Sequence, residues 1–177
     1  MRSLLLPFLY FILSGSLYAQ TASASTTVSI TLPVVTLMDI EPTGNIALNF
    51  TAPTEAGNAL INPAPNTSKW INYTSAITAG GLTRRITASV NKMIDGVNIR
   101  VQAATASGAG GGTLGTPSGQ VTLTMTPVTI ISGIGGAYTG NGANNGHRLT
   151  FSVVPGNYGS IMPQSNNAIN IIYTITE

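Results

Sequence analysis

The side chains able to do chemistry are few and scattered. One histidine, His147, stands beside Arg148 ahead of an alternating apolar run and reads as an exposed turn residue. Asp39 and Glu41 form the closest acid pair, and strand periodicity sets both on one face. Glu55 and Asp95 lie in other segments. A glycosidase needs two carboxylates flanking one bond, so this pair would need a partner from elsewhere. It reads instead as a solvated strand end before Pro42. Metal sites need several converging ligands, which one histidine and dispersed acids do not supply. The chain has no cysteine, which removes thiol catalysis, thiolate-bound zinc and disulfides. No Gly-x-Ser-x-Gly elbow accompanies the histidine, so a hydrolase triad lacks its parts. Arg84 and Arg85, if extended, point one guanidinium to each sheet face, one to the surface and one to the rim. No catalytic residue, metal ligand or cofactor is assigned, and the chain reads as a non-enzyme.

Composition narrows the class further. Of 177 residues only 7% are charged, against about 25% in ordinary soluble domains. Hydrophobic residues reach 43%, which is incompatible with a disordered chain. The formal charge of +2 includes Arg2, and such a balance excludes nucleic acid as an electrostatic partner. A surface this neutral suits a protein buried in an assembly or in a dense surface layer, since free monomers carry more charge for colloidal stability.

Residues 1–19 read as a signal peptide. Met1 and Arg2 give a positive start, residues 4–13 form an apolar run, and Ala19 or the Ala22-Ser23-Ala24 stretch offers a cleavage site. As a helix the run covers about 15 Å, half the hydrocarbon thickness of a bilayer, so it does not anchor the protein. The mature chain is expected outside the cell, without membrane insertion, at the surface or in the medium.

From residue 20 onward the chain reads as strands and turns. Runs of period two, rich in Val, Ile and Thr, are divided by Gly, Pro and Asn. The apolar sets are Val28-Ile30-Leu32; Val35-Leu37 with Asp39, on a shifted face after Pro33; Ile46-Leu48-Phe50; and a run about Trp70 and Tyr73. Further along come Ile86-Ala88-Val90, Val97-Ile99-Val101, Val121-Leu123-Met125, Leu149-Phe151-Val153 and Ile169-Ile171-Tyr173-Ile175. Residues 104–119 and 132–146 are glycine-rich and are expected to be connections, without the Lys-Ser/Thr of a phosphate-binding loop. Eight or nine short strands predict an all-β, antiparallel immunoglobulin-like β-sandwich, with a barrel as the lesser alternative.

Exposed rings are the usual sugar platforms of secreted β-sandwiches. Trp70 and Tyr73 fall on opposite strand faces, and Trp70 is expected in the core. Tyr138 and Tyr158 fall in Gly/Asn stretches and are the ligand-contact candidates, with surface glycans as the partner. Asn49, Asn66 and Asn72 each begin an Asn-x-Ser/Thr triplet, which matters only where the source glycosylates.

The termini carry a resemblance. Val28, Ile30, Leu32 and Val34 alternate after a Thr/Ala/Ser lead, and Gly156-Asn157-Tyr158-Gly159 precedes a terminal alternating strand. This pattern resembles chaperone–usher fimbrial subunits (pilins), over the ends of the chain, about a third of it. The resemblance implies a pilin-like sandwich whose N-terminal segment completes the sheet of the next subunit, as donated strands add main-chain bonds and fill a groove. It implies a donor strand at Val28, Ile30, Leu32 and Val34, self-association or related subunits as partners, and a cell-surface filament as the destination. The chain departs from the pattern in having no cysteine, where many such pilins carry a disulfide, and in a long segment between Tyr158 and the last strand. The organisation expected is a signal peptide at 1–19, an N-terminal extension or first strand at 20–34, and one sandwich at 35–177. The alternative reading is a secreted carbohydrate-binding or adhesive module.

Overall fold

A computed structural model describes residues 21–165 and 167–177. The expected signal peptide lies outside the described residues. Contacts divide the chain between Leu32 and Pro33.

Strands dominate because the period-two runs bury one face each. In chain order they are β1 (Val35–Glu41), β2 (Asn66–Ala76), β3 (Arg84–Val90), β4 (Val97–Ala103), β5 (Gly111–Pro117), β6 (Gln120–Thr122), β7 (Val128–Tyr138), β8 (His147–Pro155) and β9 (Ile171–Thr176). The one helical piece among the described residues is a 3-10 turn, Tyr158–Ser160, capped by the Asn157 side chain. Every pairing is antiparallel.

Two long strands change partner along their length, and this makes the sandwich. The first half of β2 pairs with β8, its Thr74 and Ser75 pair with β7, and β1 flanks its other edge. β7 pairs with β3 and then β2 on one edge, and with β5 on the other. One layer is therefore β6-β4-β8-β2-β1 and the other β5-β7-β3-β9, joined at the β2–β7 corner. Across the core β4 and β6 lie against β7. The interior is Ile71, Tyr73, Ile86, Val101, Leu123, Ile130, Ile131, Ile134, Leu149 and Phe151 with their neighbours.

Several expectations need correction. The Val28-Ile30-Leu32 run forms no strand. In β1 it is Met38 and Ile40 that pack on the core, while Leu37 is exposed, one residue out of the expected frame. The register to β2 decides this: Met38 pairs with Tyr73 and Ile40 with Ile71, both core residues. Ile46, Leu48 and Phe50 do face the core, but from an unpaired segment. Trp70 is only half-buried, because the core positions of β2 are Ile71, Tyr73 and Ser75, one residue out of phase.

Only part of each glycine-rich stretch is a connection: 111–117 form β5 and 132–138 complete β7, while 104–110 and 139–146 lie outside the strands. Glycine is what lets β5 and β7 approach. Gly112 has a φ of +86° and Gly115 of +77°, both left-handed. A Cβ on Gly115 would sit 2.7 Å from the Ser132 carbonyl and from Ile134, and one on Gly112 would overlap the Gly136 carbonyl.

His147 is fully buried, not an exposed turn residue. Its Nδ1 faces the Ala104 carbonyl at 2.8 Å, and its Nε2 lies 3.0 Å from the Tyr73 hydroxyl and 3.1 Å from the Leu114 carbonyl. The ring stacks on Tyr73, with centroids 5.8 Å apart. It ties β2, β8 and the β4–β5 segment together as a structural knot.

Arg84 is the rim guanidinium, and Arg85 the exposed one. Arg84 is buried and donates to the Val35 carbonyl and Ser75 hydroxyl, both at 2.9 Å, and to the Ala76 carbonyl at 3.3 Å. Glu177 lies 3.7 Å from it.

Candidate functional site

The last strand is the least finished part of the sandwich. β9 pairs in full register with β3, from Arg85 opposite Thr176 to Val90 opposite Ile171. It ends the sheet order, so among the described residues its second edge bonds to no strand. Ile171, Tyr173 and Ile175 turn inward by alternation and pack on the core, yet all three stay half-buried. Ile169, just upstream, does the same, as do Ile46, Leu48 and Phe50. These residues have hydrophobic neighbours on one side and solvent on the other. Burial pushes the Tyr173 hydroxyl well above the usual tyrosine range. An open strand edge beside half-covered apolar side chains can accept another extended chain through main-chain bonds and side-chain insertion.

The N-terminal candidates have the complementary chemistry. Val28, Ile30, Leu32 and Val34 are 73%, 78%, 86% and 62% exposed. Residues 21–34 pair with no strand. Large apolar side chains left in water are in an unfavourable state, since each gains about 1.5–3 kcal/mol on full burial.

The two tyrosine candidates are placed apart and held differently. Tyr158 is half-exposed on the 3-10 turn, and its hydroxyl accepts the Leu60 N–H at 3.1 Å. Its hydroxyl thus fastens the 42–65 segment, while half of its surface stays exposed. Tyr138 ends β7 opposite Thr74 and lines an open concavity with Leu37, Asp39 and Asn72. Asp39 and Glu41 share β1, where Asp39 Oδ1 accepts the Ile40 N–H at 2.7 Å and Glu41 pairs with Trp70. No third acid or histidine joins them among the described residues. Of the glycosylation triplets, Asn72 is buried and Asn66 is occupied by Ser68.

Sequence reasoning missed Arg84 as an organiser and Asn72 as a wall of the concavity. The signal for Arg84 was its place at the head of an inward frame, Arg84-Ile86-Ala88. Asn72 gave none, since its burial comes from residues 140–146 folding over it, with Nδ2 bonded to the Asn145 carbonyl at 2.6 Å.

No helix among the described residues is long and apolar enough to cross a membrane. No family model, no curated protein and no solved structure matches the chain.

Proposed function

We propose that the protein is an exported structural subunit of a fimbria or cell-surface filament that assembles by β-strand donation. The observation carrying this reading is the pairing of opposites in one chain. An unpaired N-terminal extension leaves Val28, Ile30, Leu32 and Val34 in water, and a terminal edge strand leaves Ile171, Tyr173 and Ile175 half-covered. In an assembly the extension of one copy adds to the β9 edge of the next, and both exposed sets are buried together. Heterologous, head-to-tail contacts of this kind give open filaments rather than closed oligomers. The low surface charge fits a chain most of whose surroundings are other copies. No chemistry on a substrate is needed, and we read the protein as a non-enzyme.

Size-exclusion chromatography and negative-stain microscopy of the exported, signal-cleaved protein test this. Filaments or heat-resistant ladders are expected for the wild type. Ile30→Asp and removal of residues 20–32 should both abolish them while export continues. A stable, strictly monomeric wild-type chain overturns the reading.

A further inference from the structure

Away from the β9 edge, the outer face of β1, β2 and β7 holds a second feature. The register sets Leu37 beside Thr74 and Thr74 beside Tyr138, with Asp39 beside Asn72 in the next row. Together with Asn141 from the loop after β7 they line an open concavity of about 450 Å³. That lies within the usual small-molecule range of roughly 300–1,000 Å³.

Three of these groups are held in place by their neighbours. The Tyr138 ring is 55% exposed, and it rests against Gly111, where a Cβ would sit 3.3 Å from the ring carbon Cε1. One side of the ring is thus backed by main chain and the remainder faces water. The Asp39 carboxylate is oriented by its bond from the Ile40 N–H. Asn72 is 5% exposed and projects from the same strand face as Thr74; its Nδ2 is committed to Asn145. Its Oδ1 is the single buried side-chain polar atom without a hydrogen-bond partner among the described residues. That oxygen has no accessible surface, so Asn72 forms part of the wall of the concavity and does not itself meet a ligand.

The chemistry of the lining selects the ligand. Asp39 accepts, Asn141 both donates and accepts, and Tyr138 with Leu37 offers an apolar surface. A cationic ligand would call for more than the one carboxylate present. A ring of hydroxyls with a C–H face fits each part. We propose that this concavity binds one residue of a neutral carbohydrate, its apolar face on Tyr138 and its hydroxyls on Asp39 and Asn141.

The site belongs to a single subunit, so its test does not depend on assembly. Saturation-transfer difference NMR of the mature protein with the methyl glycosides of glucose, galactose, mannose and N-acetylglucosamine reads binding on monomer and filament alike. At least one glycoside should give a saturable signal. Tyr138→Ala should weaken it about tenfold, which is the loss of one stacking contact. Asp39→Asn should weaken it less, and Gly111→Ala, which pushes the ring outward, should also reduce it. Tyr158→Ala should leave it unchanged. Far-UV circular dichroism checks each variant for folding, and Asp39→Asn carries the test if Tyr138→Ala does not fold. Absence of any saturable signal, or a signal that survives both variants, overturns the proposal. So does preferential binding of a lysine- or arginine-containing peptide.

Discussion

β7 and β9 are built from similar residues and end in opposite conditions. β7 contributes Ile130, Ile131 and Ile134, all without exposed surface, and has strand partners on both edges. β9 contributes Ile171, Tyr173 and Ile175, which face the same core yet stay half-covered beside one partner strand. Alternation sets which way a side chain faces, but only neighbours decide how far it is buried. The difference is stored free energy. At about 25 cal/mol per Å² of apolar surface, any cover laid over the open side of β9 would be favoured.

The contrast is tested most strongly in the core. Ile131→Ala should cost roughly 4 kcal/mol in chemical denaturation, the upper part of the range for buried isoleucine, because β3 and β5 hold the walls of the cavity in place. Ile171→Ala should cost far less in the monomer, and a larger loss in assembled protein would show that the edge is completed there. Equal losses at both positions in the monomer would break the comparison.

Next in size is Gly112→Ala, at roughly 3 kcal/mol from a left-handed backbone and a collision with the Gly136 carbonyl. Gly119, equally left-handed but with open space around it, should lose only the backbone part when replaced by Ala. A difference between the two in urea midpoints measures the close approach of β5 to β7.

The smallest effect is a pH dependence. Burial raises the Tyr73 and Tyr173 hydroxyls above the tyrosine range, while an unfolded tyrosine ionises near about 10. The unfolded chain releases these protons first, so stability is intact below about pH 10 and falls as pH rises beyond it. Tyr173→Phe should flatten that fall in urea midpoints measured across the alkaline range. A variant that declines as steeply as wild type would show that the edge tyrosine is hydrated.

Much of the sandwich was legible because β3, β4, β8 and β9 alternate cleanly. His147 was legible too: the frame Leu149-Phe151-Val153 extended back by one step puts it inside. Its place after an Asn-Gly run hid that. β5 and β7 were obscured by the residues that make them work, since glycine reads as a turn unless the facing strand is known. The frame of β1 depends on Met38 meeting Tyr73, and Pro33 suggested a shift that the pairing does not use. At the candidate sites, apolar spacing revealed the extension, whereas the Tyr158–Leu60 bond joins residues 98 positions apart and leaves no local trace. The concavity is equally non-local, because three strands and a loop must meet before its polar groups converge.

Arg84 has a mechanical consequence. Its guanidinium grips the first residue of β1, the last residues of β2 and the carboxylate of Glu177. Tension arriving at Val35 from upstream is therefore met by a buried anchor before it reaches the ladder between β1 and β2. The load passes from the Val35 carbonyl through one buried side chain to the end of β2, so β1 resists being peeled away one rung at a time.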